Sequence, residues 1–325
     1  MSDRWRLLAL PPLGAELIHH VFDPLGADVA VPAERTRDAL HAELADAELV
    51  VGDFTGELTI DATAVAAAPH LAFVQMPSVG VDAIDVDALT AAGVPVANTA
   101  GANARSVAEW ALSAALDLSR QLSWADRRMR EGGWPQLEAA ARGSDELANR
   151  RVGVLGMGAI GTEAARLFEA LGCQVAYWSR RRRDTGVYKE IDDLLAGSDI
   201  AVVCLPRTRE TVGLLDSRRL ALLPAGAFLV NVARGGVAPD ADVLAALESG
   251  RLAGAALDVF EDEPLPADHP FRRHENVLLS PHAAGSTRQS QLNIITAVID
   301  NIRAAVDGRP VANVVNGLDP LIRRR

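Results

Sequence analysis

Short apolar runs alternate with longer amphipathic segments along almost the whole chain. The first four runs are WRLLAL (5–10), ELVVGD (48–53), LAFVQM (71–76) and VPVANT (94–99), with helix-like segments between them. Apolar runs of about four to eight residues are typical of buried strands. Their alternation with helices predicts parallel strands joined by crossover helices.

The same pattern restarts near residue 151 and continues to about residue 282. The runs are RVGVLG (151–156), QVAYWS (174–179), DIAVVCLP (199–206), AFLVNVAR (227–234), GAALDVF (254–260) and NVLLSPH (276–282). They are apolar at successive positions, as expected for strands that helices cover on both faces. We therefore predict an α/β protein with two doubly wound parallel-sheet domains.

Two long helical patterns lie outside these strands. Residues 104–132 predict one helix that carries the chain from one domain to the other. Residues 287–310 predict a second helix, which stops near Gly308 with Pro310 beyond it.

Composition and charge exclude several classes of protein. The 325 residues carry a formal net charge of −11, whereas proteins that wrap nucleic acid usually present a basic face. The N-terminal segment shows no secretory pattern, and no apolar run is long enough to span a membrane. We expect a cytoplasmic protein without nucleic-acid or membrane partners.

The reactive side chains exclude further mechanisms. Cys173 and Cys204 lie in apolar runs, which favours buried thiols over a disulfide or a metal site. Lys189 is the only lysine, which argues against Schiff-base chemistry and a P-loop. The 7 histidines show no metal-binding spacing, so we expect no metal.

A glycine-rich loop follows the first strand of the second domain. VGVLGMGAIGTEAARLFEALG (152–172) places Gly156, Gly158 and Gly161 between an apolar strand and an amphipathic helix. The first glycine permits a tight turn, the second lets the backbone approach a pyrophosphate, and the third permits close helix packing. Similar glycines also close ordinary turns, but the strand, helix and second strand together predict dinucleotide binding.

The end of the second strand predicts which dinucleotide binds. NAD-binding proteins usually carry an acid there that binds the adenosine ribose. Here Ser179 is followed by four arginines, which favours a ribose 2′-phosphate and therefore NADP(H), with NAD(H) also possible. We expect Arg180 to be the main phosphate ligand and Arg181 the second, with Arg182 and Arg183 in a solvated basic loop. The alternative is that the whole run is such a loop.

Three further stretches, NVARGG (231–236), ALDVFEDEPLP (256–266) and SPHAAGST (280–287), follow the glycine loop in order. Together they resemble the D-isomer-specific 2-hydroxyacid dehydrogenase family. The likeness extends to SVGVDAID (78–85), NTAGANARSVAEWAL (98–112), RETVGLLD (209–216) and NVVNG (313–317). It implies a Rossmann nucleotide-binding domain, residues 101–287, inserted in a flavodoxin-like substrate domain, residues 1–100 plus 288–325.

The resemblance also implies a catalytic set. Arg234 would bind the carboxylate and carbonyl of a 2-oxoacid, His282 would be the acid/base, and Glu263 would bind the imidazole. Ketone reduction needs these groups in any case, because a proton must reach the developing alkoxide and an arginine fork holds the carboxylate. Each residue alone could be structural, and Glu261 is an alternative to Glu263.

Cofactor and substrate contacts follow from the same resemblance. Asp258 would contact the nicotinamide carboxamide, and the backbone amides of Ser78, Val79 and Gly80 would meet the substrate carboxylate in the cleft between the domains. The full cofactor set implied is Gly156, Gly158, Ala159, Ile160, Gly161, Ser179, Arg180, Arg181, Leu205, Pro206, Thr211, Val232, Ala233, Asp258, His282 and Gly285.

The predicted function is oxidoreduction of a CH–OH group with NAD or NADP as acceptor, with NADP preferred. Formate-oxidising relatives carry glutamine in place of Glu263, and phosphite-oxidising relatives carry lysine in place of Val79. Glu263 and Val79 therefore argue against formate and phosphite as substrates. The expected substrate is a small 2-oxoacid such as glyoxylate or hydroxypyruvate, as in glyoxylate and hydroxypyruvate reductases.

The resemblance further implies a homodimer. Trp134 is similar to an aromatic residue that reaches the neighbouring subunit's substrate pocket in some relatives, or else it packs at the dimer interface. The alternative function is that of the corepressor branch, a dinucleotide-sensing dimeric scaffold without significant turnover.

Overall fold

The computed structural model describes residues 4–325. Residues 1–3, which begin the N-terminal segment and the first predicted domain, lie outside this range. The described chain divides into two compact units. One comprises the residues up to Asn103 together with Arg288–Arg325, and the other comprises Ala104–Thr287.

The first unit is built on a parallel sheet of five strands within the described residues. These are β1 (Arg6–Ala9), β2 (Asp28–Ala30), β3 (Leu49–Val51), β4 (Phe73–Gln75) and β5 (Val96–Ala97), in the order β2-β1-β3-β4-β5. The crossover helices are α1 (Ala15–Phe22), α2 (Arg37–Leu44), α3 (Ala62–Ala66) and α4 (Val86–Ala91). This strand order is flavodoxin-like.

The second unit contains a larger parallel sheet. Its strands are β6 (Arg151–Leu155), β7 (Gln174–Trp178), β8 (Val187–Tyr188), β9 (Ile200–Val203), β10 (Ala227–Asn231), β11 (Leu252–Leu257) and β12 (Val277–Leu279). Their order is β12-β11-β10-β9-β6-β7-β8. The chain adds β7 and β8 on one side of β6 and the later strands on the other, so the strand order reverses beside β6, as in dinucleotide-binding sheets. The predicted fold class is therefore confirmed.

Helices cover both faces of this second sheet. They are α5 (Ala104–Arg120), α6 (Leu122–Arg130), α7 (Gln136–Ala141), α8 (Ala159–Ala170), α9 (Ile191–Ala196), α10 (Ser217–Leu220) and α11 (Asp240–Glu248). Val202 and Val230 belong to the core on the α5 and α8 side, whereas Ala201 and Leu229 belong to the core on the other side. Burial on both faces explains why these strands read as continuous apolar runs.

The prediction of one helix over residues 104–132 was wrong. The helix breaks at Gln121, whose φ is 56°, and restarts at Leu122 as α6. The Asp117 carboxylate stabilises the break by accepting hydrogen bonds from the backbone N–H and the hydroxyl of Ser123, both at 2.8 Å. Hydrophobic periodicity does not reveal a single left-handed residue between two helices.

The chain returns to the first unit through α12 (Arg288–Val306), whose Val298 and Ile302 are buried in that unit's core. Asn301 of this helix is buried and makes three hydrogen bonds. Its amide donates to Oε1 of Gln75 at 2.6 Å and to the carbonyl of Ala312 at 3.0 Å, and its carbonyl accepts from the N–H of Ala312 at 2.8 Å. No helix in residues 4–325 combines the length and apolar character needed to cross a membrane.

We predict that Asn301→Ala lowers the free energy of unfolding of the first unit by about 2 to 3 kcal/mol, because it leaves the buried amide oxygen of Gln75 without this donor and removes two hydrogen bonds to the backbone of Ala312. Urea denaturation followed by circular dichroism measures the change. The control is Asn293→Ala on the exposed side of the same helix, expected to change stability by less than about 0.5 kcal/mol. Equal effects of the two substitutions would show that the buried network has no special role.

Candidate active site

The predicted site residues of the second unit lie in loops that leave the carboxyl ends of its strands. The glycine loop follows β6, Arg180 follows β7, Arg234 follows β10, and His282 follows β12. Because all these strands are parallel, their carboxyl ends share one edge of the sheet, which is where such sheets bind ligands.

Glycine is suited to each of the three loop positions for a different physical reason. Gly156 has a φ of 101°, and a Cβ there would lie 2.7 Å from the carbonyl oxygen of Cys204. A Cβ on Gly161 would overlap the carbonyl oxygen of Gly156, so close packing of α8 requires glycine. At Gly158, by contrast, a Cβ would meet no protein atom within 4 Å. Packing within the protein therefore does not require glycine at position 158. A ligand that lies directly against the backbone would require it.

The amino terminus of α8 opens beside Gly158. This helix has no side-chain cap, and its first residues are Ala159, Ile160 and Gly161. The first N–H groups of a helix lack intrahelical partners, and the helix dipole makes them favourable ligands for an anion. Together with the open space at Gly158, this terminus fits the pyrophosphate of a dinucleotide.

The arginines of the run 180–183 have different neighbours. Arg180 is exposed and forms an ion pair with Glu210 at 2.9 Å. Arg182 lies over the ring of Tyr188, with 4.3 Å from Cζ to the ring centroid, and its guanidinium is 3.6 Å from Glu190.

Arg183 is tied to the glycine loop. Its Nε donates to the carbonyl of Met157 at 3.2 Å, and its backbone N–H donates to the hydroxyl of Tyr177 at 2.7 Å. Arg183 is nonetheless exposed, so its contact with Met157 adds a structural role to the solvated basic loop that was predicted for it. Ser179, which was expected to face the ribose, donates from its hydroxyl to the carbonyl of Arg181 at 2.5 Å.

His282 and Glu263 are in direct contact. Nδ1 of the imidazole lies 2.7 Å from Oε2 of Glu263. This contact fixes the ring and leaves Nε2 as the nitrogen that can give a proton to a substrate. The alternative acid, Glu261, accepts instead from the backbone N–H of Asp240 at 2.8 Å.

Asp258 holds the segment that carries His282. Its carboxylate is buried and accepts hydrogen bonds from the N–H groups of Ala283 at 2.8 Å and Ala284 at 3.0 Å. Its backbone carbonyl accepts from the N–H of His282 at 2.8 Å, where the φ of His282 is 53°. Sequence reasoning gave Asp258 only a cofactor contact and missed this role. The available signal was an acid at the end of a buried strand.

Arg234 is half-buried beside this pair. It precedes Gly235, where a Cβ would overlap the backbone of Phe260, so the chain passes close to the loop that carries Glu263. Nη1 of Arg234 donates to the carbonyl of Ala233 at 2.7 Å. Its positive charge is near enough to contribute to the lowered pKa of Glu263 and to oppose in part the rise in the pKa of His282.

The pair shifts the pKa of both partners. The hydrogen bond that the imidazole donates to Glu263 raises the pKa of His282, and this outweighs burial and the charge of Arg234, which lower it. Burial alone would raise the pKa of Glu263, but hydrogen bonds from His282 and from the N–H of Phe260 hold it below its usual value. The imidazole is thus kept protonated to a higher pH than usual, and the carboxylate stays charged.

A pocket of about 580 Å³ adjoins the pair within the second unit. Its lining is mostly apolar and consists of Phe260, Glu263, Pro264, Leu265, Arg272, Leu279, Ser280, Pro281 and His282. An apolar pocket with a few polar groups is the usual form of a small-molecule site.

The remaining predicted cofactor residues lie in the same set of loops. Leu205, Val232 and Ala233 are buried just beyond β9 and β10. Thr211 is also buried, and its hydroxyl donates to the carbonyl of Pro206 at 2.6 Å. Gly285 follows the segment that Asp258 holds.

The predicted substrate residues Ser78, Val79 and Gly80 belong to the first unit. They form a tight loop after β4, in which the hydroxyl of Ser78 donates to the carbonyl of Gly80 at 2.7 Å. The amide of Asn98 donates to the carbonyl of Val79, also at 2.7 Å.

Several known proteins are similar to this chain. Residues 112–284 match the family model for D-isomer specific 2-hydroxyacid dehydrogenase, NAD binding domain. D-3-phosphoglycerate dehydrogenase of Archaeoglobus fulgidus is 35% identical over 317 residues, which cover 96% of this chain but only 59% of the relative. Glyoxylate reductase of Aeropyrum pernix is 34% identical, with 91% of this chain and 88% of the relative covered.

A solved structure is also similar to this chain. D-lactate dehydrogenase from Aquifex aeolicus, complexed with NAD and lactic acid, superposes with a TM-score of 0.85 at 26% identity, covering 95% of this chain and 99% of that one.

We predict that Glu263→Gln lowers the pKa of His282, because the neutral amide lacks the negative charge that stabilises the imidazolium. A titration of the imidazole C–H resonances by NMR measures the change. The matched control is Glu261→Gln two residues away, whose carboxylate contacts Asp240 instead. A His282 titration that is the same in Glu263→Gln as in the unmodified protein would contradict the assignment.

Proposed function

Because the chain belongs to the D-isomer specific 2-hydroxyacid dehydrogenase family, we propose that it reduces a small 2-oxoacid, such as glyoxylate or hydroxypyruvate, with NADPH. The observation that carries the proposal is the contact of His282 with Glu263 at 2.7 Å, with Arg234 beside them. These groups lie on the sheet edge that also carries the glycine loop. A nicotinamide dinucleotide, the cofactor of the family, supplies the hydride when bound.

Arg234 orients the substrate in this proposal. Its planar guanidinium can bind the carboxylate of a 2-oxoacid through two parallel hydrogen bonds and polarise the neighbouring carbonyl. The loop of Ser78, Val79 and Gly80 in the first unit is also proposed to bind substrate through its N–H groups, because the hydroxyl of Ser78 and the carbonyls of Val79 and Gly80 already form hydrogen bonds at 2.7 Å. Binding the carboxylate at fixed points places the carbonyl carbon for hydride attack.

His282 supplies the proton. Negative charge develops on the carbonyl oxygen as the hydride arrives, and the imidazolium Nε2 donates its proton there. Glu263 keeps Nδ1 fixed and stabilises the positive imidazolium before transfer. Because Glu263 raises the pKa of His282, the reduction persists to higher pH than an ordinary histidine would allow and falls as the pH rises through that pKa.

The preference for NADPH is proposed from the end of β7. Ser179 has no charge to repel a 2′-phosphate, and Arg180 is exposed on the loop that follows. Arg181 is exposed next to it and can act as a second ligand. Arg182 and Arg183 contact Tyr188 and Met157, so their guanidinium groups stabilise the loop in place.

We propose that the protein is a homodimer. Near the end of α6 and in α7, the exposed fractions of Trp134 and Leu137 are 77% and 83%, which is unusual for large apolar side chains. A second copy of the chain would cover this apolar surface.

We predict that His282→Ala lowers the rate of oxoacid reduction by about 10²- to 10⁴-fold, because the developing alkoxide loses its proton donor. Initial rates of NADPH oxidation with glyoxylate, hydroxypyruvate, pyruvate and phenylpyruvate measure this. The control is His274→Ala at the opposite end of β12, expected to keep the activity. Arg234→Lys should raise KM about tenfold or more, because lysine cannot form the two-bond fork.

Two results would contradict the proposed reductase. Full activity of His282→Ala would remove the proton donor from the mechanism. The absence of turnover with every oxoacid, in protein that binds NADPH, would favour the dinucleotide-sensing scaffold.

We predict that Arg180→Ala weakens NADPH binding by roughly tenfold and changes NADH binding little, because only NADPH carries the phosphate that the guanidinium binds. The measurement is a titration of each reduced cofactor followed by nicotinamide fluorescence. Unchanged discrimination between the two cofactors in Arg180→Ala would contradict the phosphate-binding role.

A further inference from the structure

The ion pair between Arg180 and Glu210 joins two loops that flank the glycine loop. β6 pairs with β7 on one side and with β9 on the other. Arg180 follows β7 and Glu210 follows β9, so the contact at 2.9 Å connects the two neighbours of the dinucleotide-binding turn. A carboxylate is therefore present at the adenosine end of the proposed cofactor site, although the end of β7 itself carries none.

The backbone position of Glu210 is fixed by hydrogen bonds of the neighbouring threonines. The N–H of Thr208 donates to the hydroxyl of Thr211 at 2.8 Å, and that hydroxyl donates to the carbonyl of Pro206 at 2.6 Å. The side chain of Thr211 is buried, which anchors the turn that presents Glu210. The loop conformation thus depends on the threonines rather than on the ion pair.

The ion pair itself is readily exchanged. The side chains of Arg180 and Glu210 are 56% and 70% exposed. Exposed pairs of this kind contribute little to stability, so a ligand can displace one partner at low cost. The Glu210 carboxylate and a ribose 2′-phosphate both carry negative charge and both bind guanidinium, so they compete for Arg180.

We propose that Glu210 is a specificity-determining residue that limits the preference for NADPH over NADH. Its carboxylate competes with the 2′-phosphate for Arg180. With NADH it can accept a hydrogen bond from the ribose hydroxyls, which is the role of the strand-end acid in NAD-binding proteins. Glu210 thus supplies from the loop after β9 what Ser179 lacks after β7. This inference rests on the proposed role of Arg180 in binding the phosphate.

The test compares Glu210→Gln with the unmodified protein. Dissociation constants for NADPH and NADH are measured by nicotinamide fluorescence, and those for adenosine 2′,5′-bisphosphate and 5′-AMP by competition. Removing the charge should tighten binding of NADPH and the bisphosphate by about three- to fivefold, while binding of NADH stays equal or weakens. An unchanged ratio of NADPH to NADH affinity in Glu210→Gln overturns the proposal.

Glu190→Gln is the matched control. Glu190 faces Arg182 of the same loop at 3.6 Å, so this variant removes an equivalent charge without changing the contact of Arg180. Its ratio of affinities should equal that of the unmodified protein. A gain as large as that of Glu210→Gln would show a general charge effect and would also overturn the proposal.

The variant Arg180→Ala separates this inference from the proposed function. If Arg180→Ala lowers the preference for NADPH and Glu210→Gln leaves it unchanged, only the role of Glu210 fails. If Arg180→Ala itself has no effect, the phosphate-binding role fails first. Competition for the guanidinium further requires that Glu210→Gln gain less in the Arg180→Ala background. An equal gain there contradicts the competition.

Discussion

The buried carboxylate of Asp258 orders the centre of the candidate site. The carboxylate accepts hydrogen bonds from the N–H groups of Ala283 and Ala284, which follow His282. The backbone carbonyl of Asp258 accepts a further hydrogen bond from the N–H of His282. The histidine backbone is thereby held at a φ of 53°, a left-handed conformation that costs free energy and persists only where surrounding contacts enforce it. The contact between the imidazole and Glu263 depends on this backbone position, and so does the raised pKa of His282.

The strands and helices were largely predictable from the sequence, and the exceptions have physical causes. The strands buried on both faces appeared as long apolar runs, because both sets of side chains pack under helices. β2 and β8 were missed, since both are edge strands of two or three residues with partly exposed side chains. The break at Gln121 was missed because it depends on one backbone angle and on the capping contact from Asp117.

The site residues were identifiable as motifs, and the family resemblance gave His282 its partner Glu263, but most other partners were not identifiable. The resemblance favoured Glu263 and left Glu261 as the alternative, and the folded loop directs Glu261 to Asp240 and Glu263 to His282. The four consecutive arginines likewise have different neighbours, because Arg180 meets Glu210 from another strand's loop and Arg183 meets the carbonyl of Met157. Contacts between distant segments require the three-dimensional arrangement, which composition and spacing do not contain.

The first unit is built from two segments that are far apart in the chain, and this affects how the nascent chain can fold. Its core includes Val298, Ile302 and Ala305 of α12, which the ribosome adds after the whole of the second unit. Residues 104–287 form a continuous segment that can fold as soon as it leaves the exit tunnel, since domains fold as units during synthesis. Until α12 emerges, one face of the first sheet keeps part of its apolar surface uncovered, so this half of the molecule is expected to need chaperone protection longest during translation.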